Sequence, residues 1–184
     1  NVYDSGYKQS STQVAVVPSQ LTKLTSGIPS GESFYIYQTK CPSEVDKINN
    51  RMEGIIVPDG VSSTPDIYFY FHGMHSFTDE KATLVDYNCI SKDLCNNMAQ
   101  LKSKGEDAVM VMFTGAKDSS EYSKWMSGGF TCFYDEALVN LKSLGYTPQS
   151  MVLMGHSGGG KAIMNIANTF LGKQTHLPLK AVVY

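Results

Sequence analysis

Three short runs, DIYFYF (Asp66 to Phe71), AVMVMF (Ala108 to Phe113) and MVLM (Met151 to Met154), are apolar at nearly every position and are bounded by turn residues. A strand of this kind must be covered on both faces, because successive side chains point to opposite sides of the pleat, and doubly covered strands belong to mostly parallel sheets. Between and after them the apolar spacing turns helical. Leu94, Met98 and Leu101 recur at i, i+4 and i+7, with Ser91 as the expected N-cap and Gly105 just past the end. Phe133, Ala137, Leu141 and Leu144 form a second face that stops at Gly145; Ile163, Ile166, Ala167, Phe170 and Leu171 form a third that stops at Gly172. SFYIY (Ser33 to Tyr37), Gly54 to Val57 and LKAVVY (Leu179 to Tyr184) complete the predicted strands. Strands alternating with helices at this spacing predict an α/β fold, a mostly parallel sheet with right-handed crossover helices.

A chain of 184 residues is one domain, 1–184, able to bury about 70% of its unfolded surface. Residues 1–32, rich in Ser, Thr and Gln at their start, read as an N-terminal arm with an edge strand at Val14 to Val17. With 15 basic and 17 acidic residues, the charge balance carries no nucleic-acid footprint. No apolar run approaches the ~18 to 20 residues a membrane span requires. Cys41, Cys89, Cys95 and Cys132 form no CxxC pair and have no histidine neighbours, so neither a metal nor another cofactor is expected. They are either one or two disulfides in an exported protein or buried thiols in a cytoplasmic one. Low charge, abundant Ser, Thr, Asn and Tyr, and a first residue other than Met favour the secreted or periplasmic alternative over the cytoplasmic one.

The chemistry is concentrated where the Met151 to Met154 strand meets the third helix. Gly155, His156, Ser157, Gly158 and Gly159 satisfy G-x-S-x-G. A serine on a sharp strand-to-helix turn is held strained with its hydroxyl exposed, and glycines two residues to either side relieve the crowding there. The amide of Gly158, at the start of a helix, would face an oxyanion formed when Ser157 attacks a carbonyl.

In this region the chain resembles the α/β-hydrolase superfamily of serine esterases, lipases and peptidases, over roughly Ser33 to Tyr184. That family places an antiparallel strand pair before a parallel sheet and its nucleophile after the fifth strand, as here. FHGM, Phe71 to Met74, follows the third predicted strand, where the family has its oxyanion loop. The resemblance implies that Ser157 is the nucleophile, that the amides of Met74 and Gly158 are oxyanion donors, and that His72, Gly73, Gly155, His156 and Gly159 shape the loop and the elbow. It implies no cofactor, and a small-molecule or lipid-like acyl substrate, with an ester as the first expectation and thioesters or amides open to the same chemistry. Tyr122, Trp125, Met126 and Phe130, in the long segment after Phe113, are expected either to line an acyl pocket or to pack that segment onto the domain.

Family order is Ser, then Asp or Glu, then His, but no acidic residue occurs from Gly158 to Tyr184 and the only histidine there is His176. His75 is the best base elsewhere in the chain. The expectation is that the fold is incomplete at its C-terminal end, that a further segment or second chain supplies the acid and histidine, and that residues 1–184 alone are inactive. A hydrolase-like binding module without catalysis is one alternative. A phosphate-binding loop is another, because Gly155, Gly160 and Lys161 also satisfy G-x-x-x-x-G-K; Ala162, however, stands where that loop uses Ser or Thr to hold magnesium.

Overall fold

The computed structural model describes residues 18–42, 51–75, 77, 79–114, 122, 126 and 129–184. Seven strands, β1 (Thr22–Leu24), β2 (Glu32–Gln38), β3 (Met52–Pro58), β4 (Asp66–Phe71), β5 (Ala108–Phe113), β6 (Ser150–Gly155) and β7 (Leu179–Val183), form one sheet in the order β1-β2-β3-β5-β4-β6-β7. β1, β2, β3 and β5 pair antiparallel, whereas β5, β4, β6 and β7 pair parallel, so the sheet is mixed, with parallel ladders where the apolar runs predict them. The chain runs from β4 to β5 on one side, then crosses back over β4 to β6. β4 is therefore the switch point, and the crevice beyond its carboxyl end is where such sheets hold ligands.

Both faces of the sheet are covered, which explains the unbroken apolar runs. On one face Val109, Val111 and Phe113 of β5 join Phe69 and Phe71 of β4 and pack against Phe133, Ala137 and Leu141, with Ile163, Ile166 and Phe170. On the other, Ala108, Met110 and Met112 pack with Leu84, Leu94, Cys95 and Met98. The helices supplying these residues are α1 (Glu80–Ala82), which continues with wider turns through Thr83–Ser91, α2 (Leu94–Ser103), α3 (Thr131–Ser143) and α4 (Gly160–Ile166), which continues through Ala167–Leu171. Gly105 and Gly145 take left-handed φ values of 91° and 94°, the conformation that ends α2 and α3.

Three expectations are corrected. Residues 22–24, assigned to the arm, are an edge strand held by β2, with Leu21 and Leu24 against the two cores; Val14 to Val17 lie outside the described residues. Ser91 does not cap α2. The cap is Asp93 at φ 57°, because the Cys89–Cys95 disulfide, with Cα atoms 4.8 Å apart, forces a reversal between the two helices. Finally, Ala167 is exposed, since the wider turns of Ala167–Leu171 rotate it off the apolar face. All four cysteines pair, the second bridge being Cys41–Cys132 with Cα atoms 5.7 Å apart.

A row of residues facing one another across the sheet runs Gly155, Phe71, Phe113, Glu53, Tyr37. Glu53 is fully buried; one carboxylate oxygen accepts from the Tyr37 hydroxyl and the other accepts no hydrogen bond from the described residues. Glu136 of α3, also buried, accepts from Ser19 Oγ (3.1 Å), Thr39 Oγ1 (2.9 Å) and the Lys40 amide, tying the N-terminal segment to the end of β2. Burial and then the neighbouring Glu136 push the Glu53 carboxyl well above its usual range, and burial raises Glu136. The folded chain therefore holds these protons more tightly than the unfolded one. Stability from this pair is present in and below the ordinary carboxylate range and is lost as pH rises toward the raised folded values. Glu53→Gln, which keeps an acceptor for Tyr37, is expected to flatten the fall in melting temperature between about pH 5 and pH 8, checked by thermal melts of both proteins across that interval.

Candidate active site

β4 and β6 are adjacent and parallel, with Phe71 opposite Gly155, so the segments that leave their carboxyl ends emerge side by side. After Gly155 the chain passes through His156 in an extended conformation (φ −107°, ψ 125°), turns sharply at Ser157, and enters a 3-10 turn, Ser157–Gly159, that leads into α4. Ser157 has φ 54°; among the described residues only it and Asp93 are non-glycine residues at positive φ. An L-residue pays about 1 to 2 kcal/mol for that conformation. Two hydrogen bonds over-determine it: the His156 amide donates to Phe71 O (3.0 Å) and the Gly159 amide to His156 O (2.9 Å). The Ser157 side chain is exposed.

The flanking glycines are required by close approach. A Cβ on Gly155 would lie 2.9 Å from Ile163 Cδ1 and 3.0 Å from Gly160 N, and one on Gly159 would lie 2.1 Å from Phe71 O. From the other strand, a Cβ on Gly73 would lie 2.9 Å from His156 Nδ1 and 3.1 Å from Ser157 Cβ. The turn after β4 is thus packed directly on the turn that carries the serine. Met74, next in the chain, is 71% exposed, and its carbonyl accepts from the Tyr87 hydroxyl at 3.0 Å. Ser157→Gly removes the hydroxyl and the strain together, so it is expected to raise unfolding free energy by about 1 kcal/mol, measured as a shift in the urea midpoint.

The histidines have different positions. His72 is fully buried, its ring nitrogens against the carbonyls of Gly73 and Thr114 and its own carbonyl accepting from Tyr122 Oη at 3.0 Å; burial holds its ring below the usual value. It ties the ends of β4 and β5 together. His75 is buried, with its ring 4.6 Å from that of His72 and 5.4 Å from that of Tyr87. His156 is exposed, and partial desolvation, then the charge of Lys92, hold it below its usual value. His176 precedes β7, whose first residue pairs with Met151 at the opposite end of β6 from Gly155, and its ring nitrogens face Leu177 O (2.7 Å) and Leu171 O (3.0 Å).

Tyr122, Met126 and Phe130 are core residues and do not form an open wall. Phe130 meets Phe69 and Phe170 edge-on, both with centroids at 5.2 Å, and Tyr122 meets Phe71 edge-on at 5.8 Å. Their apolar rings fill the space between sheet and helices; Trp125 lies outside the described residues. Lys161 is exposed at the start of α4. Two groupings, Cys41 with Cys132 and Glu136, and Cys89 with Cys95 and Glu32, have ligand-like spacing, but their sulfurs are bridged and offer no thiolate. Tyr87, whose hydroxyl reaches Met74 O, and Lys92, whose ammonium lies 5.3 Å from the Tyr87 ring centroid, carry no sequence pattern that points to the site.

No protein-family model matches the sequence, and a comparison with curated proteins returns no match. Solved structures do resemble it. The rice cell wall degrading esterase LipA from Xanthomonas oryzae, as its G231F mutant, superposes with a TM-score of 0.53 at 15% identity over 82% of this chain and 41% of its own. Candida antarctica lipase A gives 0.54 at 14% identity, over 90% of this chain and 41% of its own. An S-formylglutathione hydrolase from Agrobacterium tumefaciens gives 0.53 at 12% identity, over 88% and 59%. The chain spans less than two thirds of the length of each, and at these identities the likeness is one of fold. The mixed seven-stranded sheet, the helices on both faces and these neighbours agree that the chain has the α/β-hydrolase fold.

Proposed function

We propose that this protein is a serine hydrolase acting on carboxylic esters. Ser157 is the nucleophile on the elbow, and the amides of Gly158 and Met74 are the oxyanion donors. The observation that carries the reading is the exposed Ser157 at φ 54°, between β6 and α4, with the Gly73–Met74 turn packed on it. A fold has no use for a strained, solvent-facing serine where a glycine would sit without cost, whereas a nucleophile must protrude in this way. The fold neighbours, an esterase, a lipase and an S-formylglutathione hydrolase by their descriptions, support acyl chemistry in general.

A serine hydroxyl requires a base, and none of the four histidines is suited to serve. His72 holds carbonyls, His75 is buried with its ring against those of His72 and Tyr87, His176 is at the far end of the sheet, and His156 is the serine's own neighbour. The acid and histidine therefore come from polypeptide outside residues 1–184, in the same or a second chain. The two disulfides support export to an oxidising compartment. Treating the native protein with a fluorophosphonate and mapping the label by mass spectrometry tests the reading. Label on Ser157, lost in Ser157→Ala, is the expected result, with the 184-residue segment alone roughly a millionfold slower for want of its base. No label in the native protein would leave a binding module in place of an enzyme.

A further inference from the structure

Lys92 sits in the short segment closed by the Cys89–Cys95 disulfide, a sequence separation of 6. Hydrogen bonds stiffen that segment further: the Lys92 amide donates to Tyr87 O at 2.8 Å and the Asp93 amide to Ile90 O at 3.0 Å. From this base the Lys92 ammonium lies 5.3 Å from the centroid of the Tyr87 ring, a cation–π distance that fixes where the charge is held. The Tyr87 hydroxyl in turn donates to Met74 O at 3.0 Å, in the turn packed on Ser157. The His156 ring, whose Nδ1 would lie 2.9 Å from a Cβ on Gly73, is held below its usual value by partial desolvation and then by the charge of Lys92. Lys92, Tyr87, Met74 and Gly73 thus form a chain of neighbours that ends at the serine turn, where a Cβ on Gly73 would lie 3.1 Å from Ser157 Cβ.

Among the described residues no carboxylate lies within salt-bridge distance of Lys92, and the adjacent Asp93 instead accepts from Asn96 Nδ2 at 3.2 Å. A lysine held by a disulfide-closed turn and an aromatic ring, with no carboxylate partner among the described residues and one ring away from the turn packed on Ser157, is arranged to meet an anion that arrives with the substrate.

We propose that Lys92 is a specificity-determining residue, the anion subsite of the Ser157 centre, and that it favours acyl substrates bearing a free carboxylate, such as the half-esters of dicarboxylic acids. This rests on the hydrolase reading above. An ammonium is a compact point charge without the fork of a guanidinium, so it selects for charge and tolerates variation in chain length.

The test compares a nitrophenyl half-ester of glutaric acid with nitrophenyl butyrate as substrates of the native protein, Lys92→Gln and Lys92→Arg. The ratio of kcat/KM values, glutarate over butyrate, is expected to fall about fivefold in Lys92→Gln, to recover in Lys92→Arg, and to shrink in the native protein as salt is raised. On the 184-residue chain, glutarate is expected to shift the ring resonances of His156, and not to do so in Lys92→Gln. A ratio unchanged by Lys92→Gln, together with ring signals indifferent to glutarate, overturns the subsite and leaves the hydrolase reading standing. Absence of hydrolysis and of fluorophosphonate label on Ser157 overturns the hydrolase reading and the subsite with it.

Discussion

Gly159→Ala is expected to dismantle the serine turn, costing several kcal/mol of stability and at least a hundredfold in the rate at which Ser157 takes a covalent probe. The added Cβ would fall 2.1 Å from Phe71 O, 2.8 Å from Phe71 C and 3.0 Å from His72 O. None of these atoms belongs to a flexible side chain. Phe71 is locked in the β4 ladders with β5 and β6, and its carbonyl already accepts from the His156 amide at 3.0 Å. The strain is therefore relieved by moving the 157–159 turn away from β4, which breaks the bond from the Gly159 amide to His156 O and carries the hydroxyl away from the Gly73–Met74 turn. Gly172→Ala is the control, since a Cβ there meets nothing within 4 Å. Urea midpoints and probe-labelling rates for the two variants decide the matter; equal behaviour would mean that Gly159 is not in contact with β4.

The two disulfides are expected to differ in strength by about 2 kcal/mol, the chain-entropy model assigning about 4 to 5 kcal/mol to Cys41–Cys132 and about 2 to Cys89–Cys95. The difference follows from loop length, 91 residues of separation against 6. Cys41–Cys132 joins the segment after β2 to α3, and so restrains much of the unfolded chain, whereas Cys89–Cys95 closes a single turn. Urea unfolding of the paired serine variants Cys41→Ser with Cys132→Ser, and Cys89→Ser with Cys95→Ser, measures both. The short bridge has its own readout, because it shapes the segment that carries Lys92: its loss is expected to move the ring pKa of His156 while leaving most of the stability in place.

The central strands were legible because burial on both faces leaves a mark in every residue: β4 and β5 begin and end where DIYFYF and AVMVMF do. β1 is too short and too polar, Thr22–Leu24, to show a period, and only its pairing with β2 reveals it. The start of α2 was misplaced because a covalent link between Cys89 and Cys95, invisible to a periodicity, sets the reversal that Asp93 makes. At the site, the G-x-S-x-G spacing and FHGM were readable because close backbone approach admits only glycine at fixed positions. The burial of Tyr122, Met126 and Phe130 was not, since an aromatic ring that fills a core and one that lines a pocket are the same letter. Lys92 left no signal at all, because the subsite proposed for it rests on which carbonyl Tyr87 reaches and on the lack of a carboxylate partner among the described residues.

β7 gives the sheet an edge whose five residues are all exposed, and Tyr184, just beyond it, lays its ring against the first turn of α4, with Cδ1 3.5 Å from where a Cβ on Gly160 would stand. Gly160 begins the helix that follows the serine turn. Pairing of any further strand along that edge is therefore expected to be felt first at the start of α4, the helix that follows the Ser157–Gly159 turn.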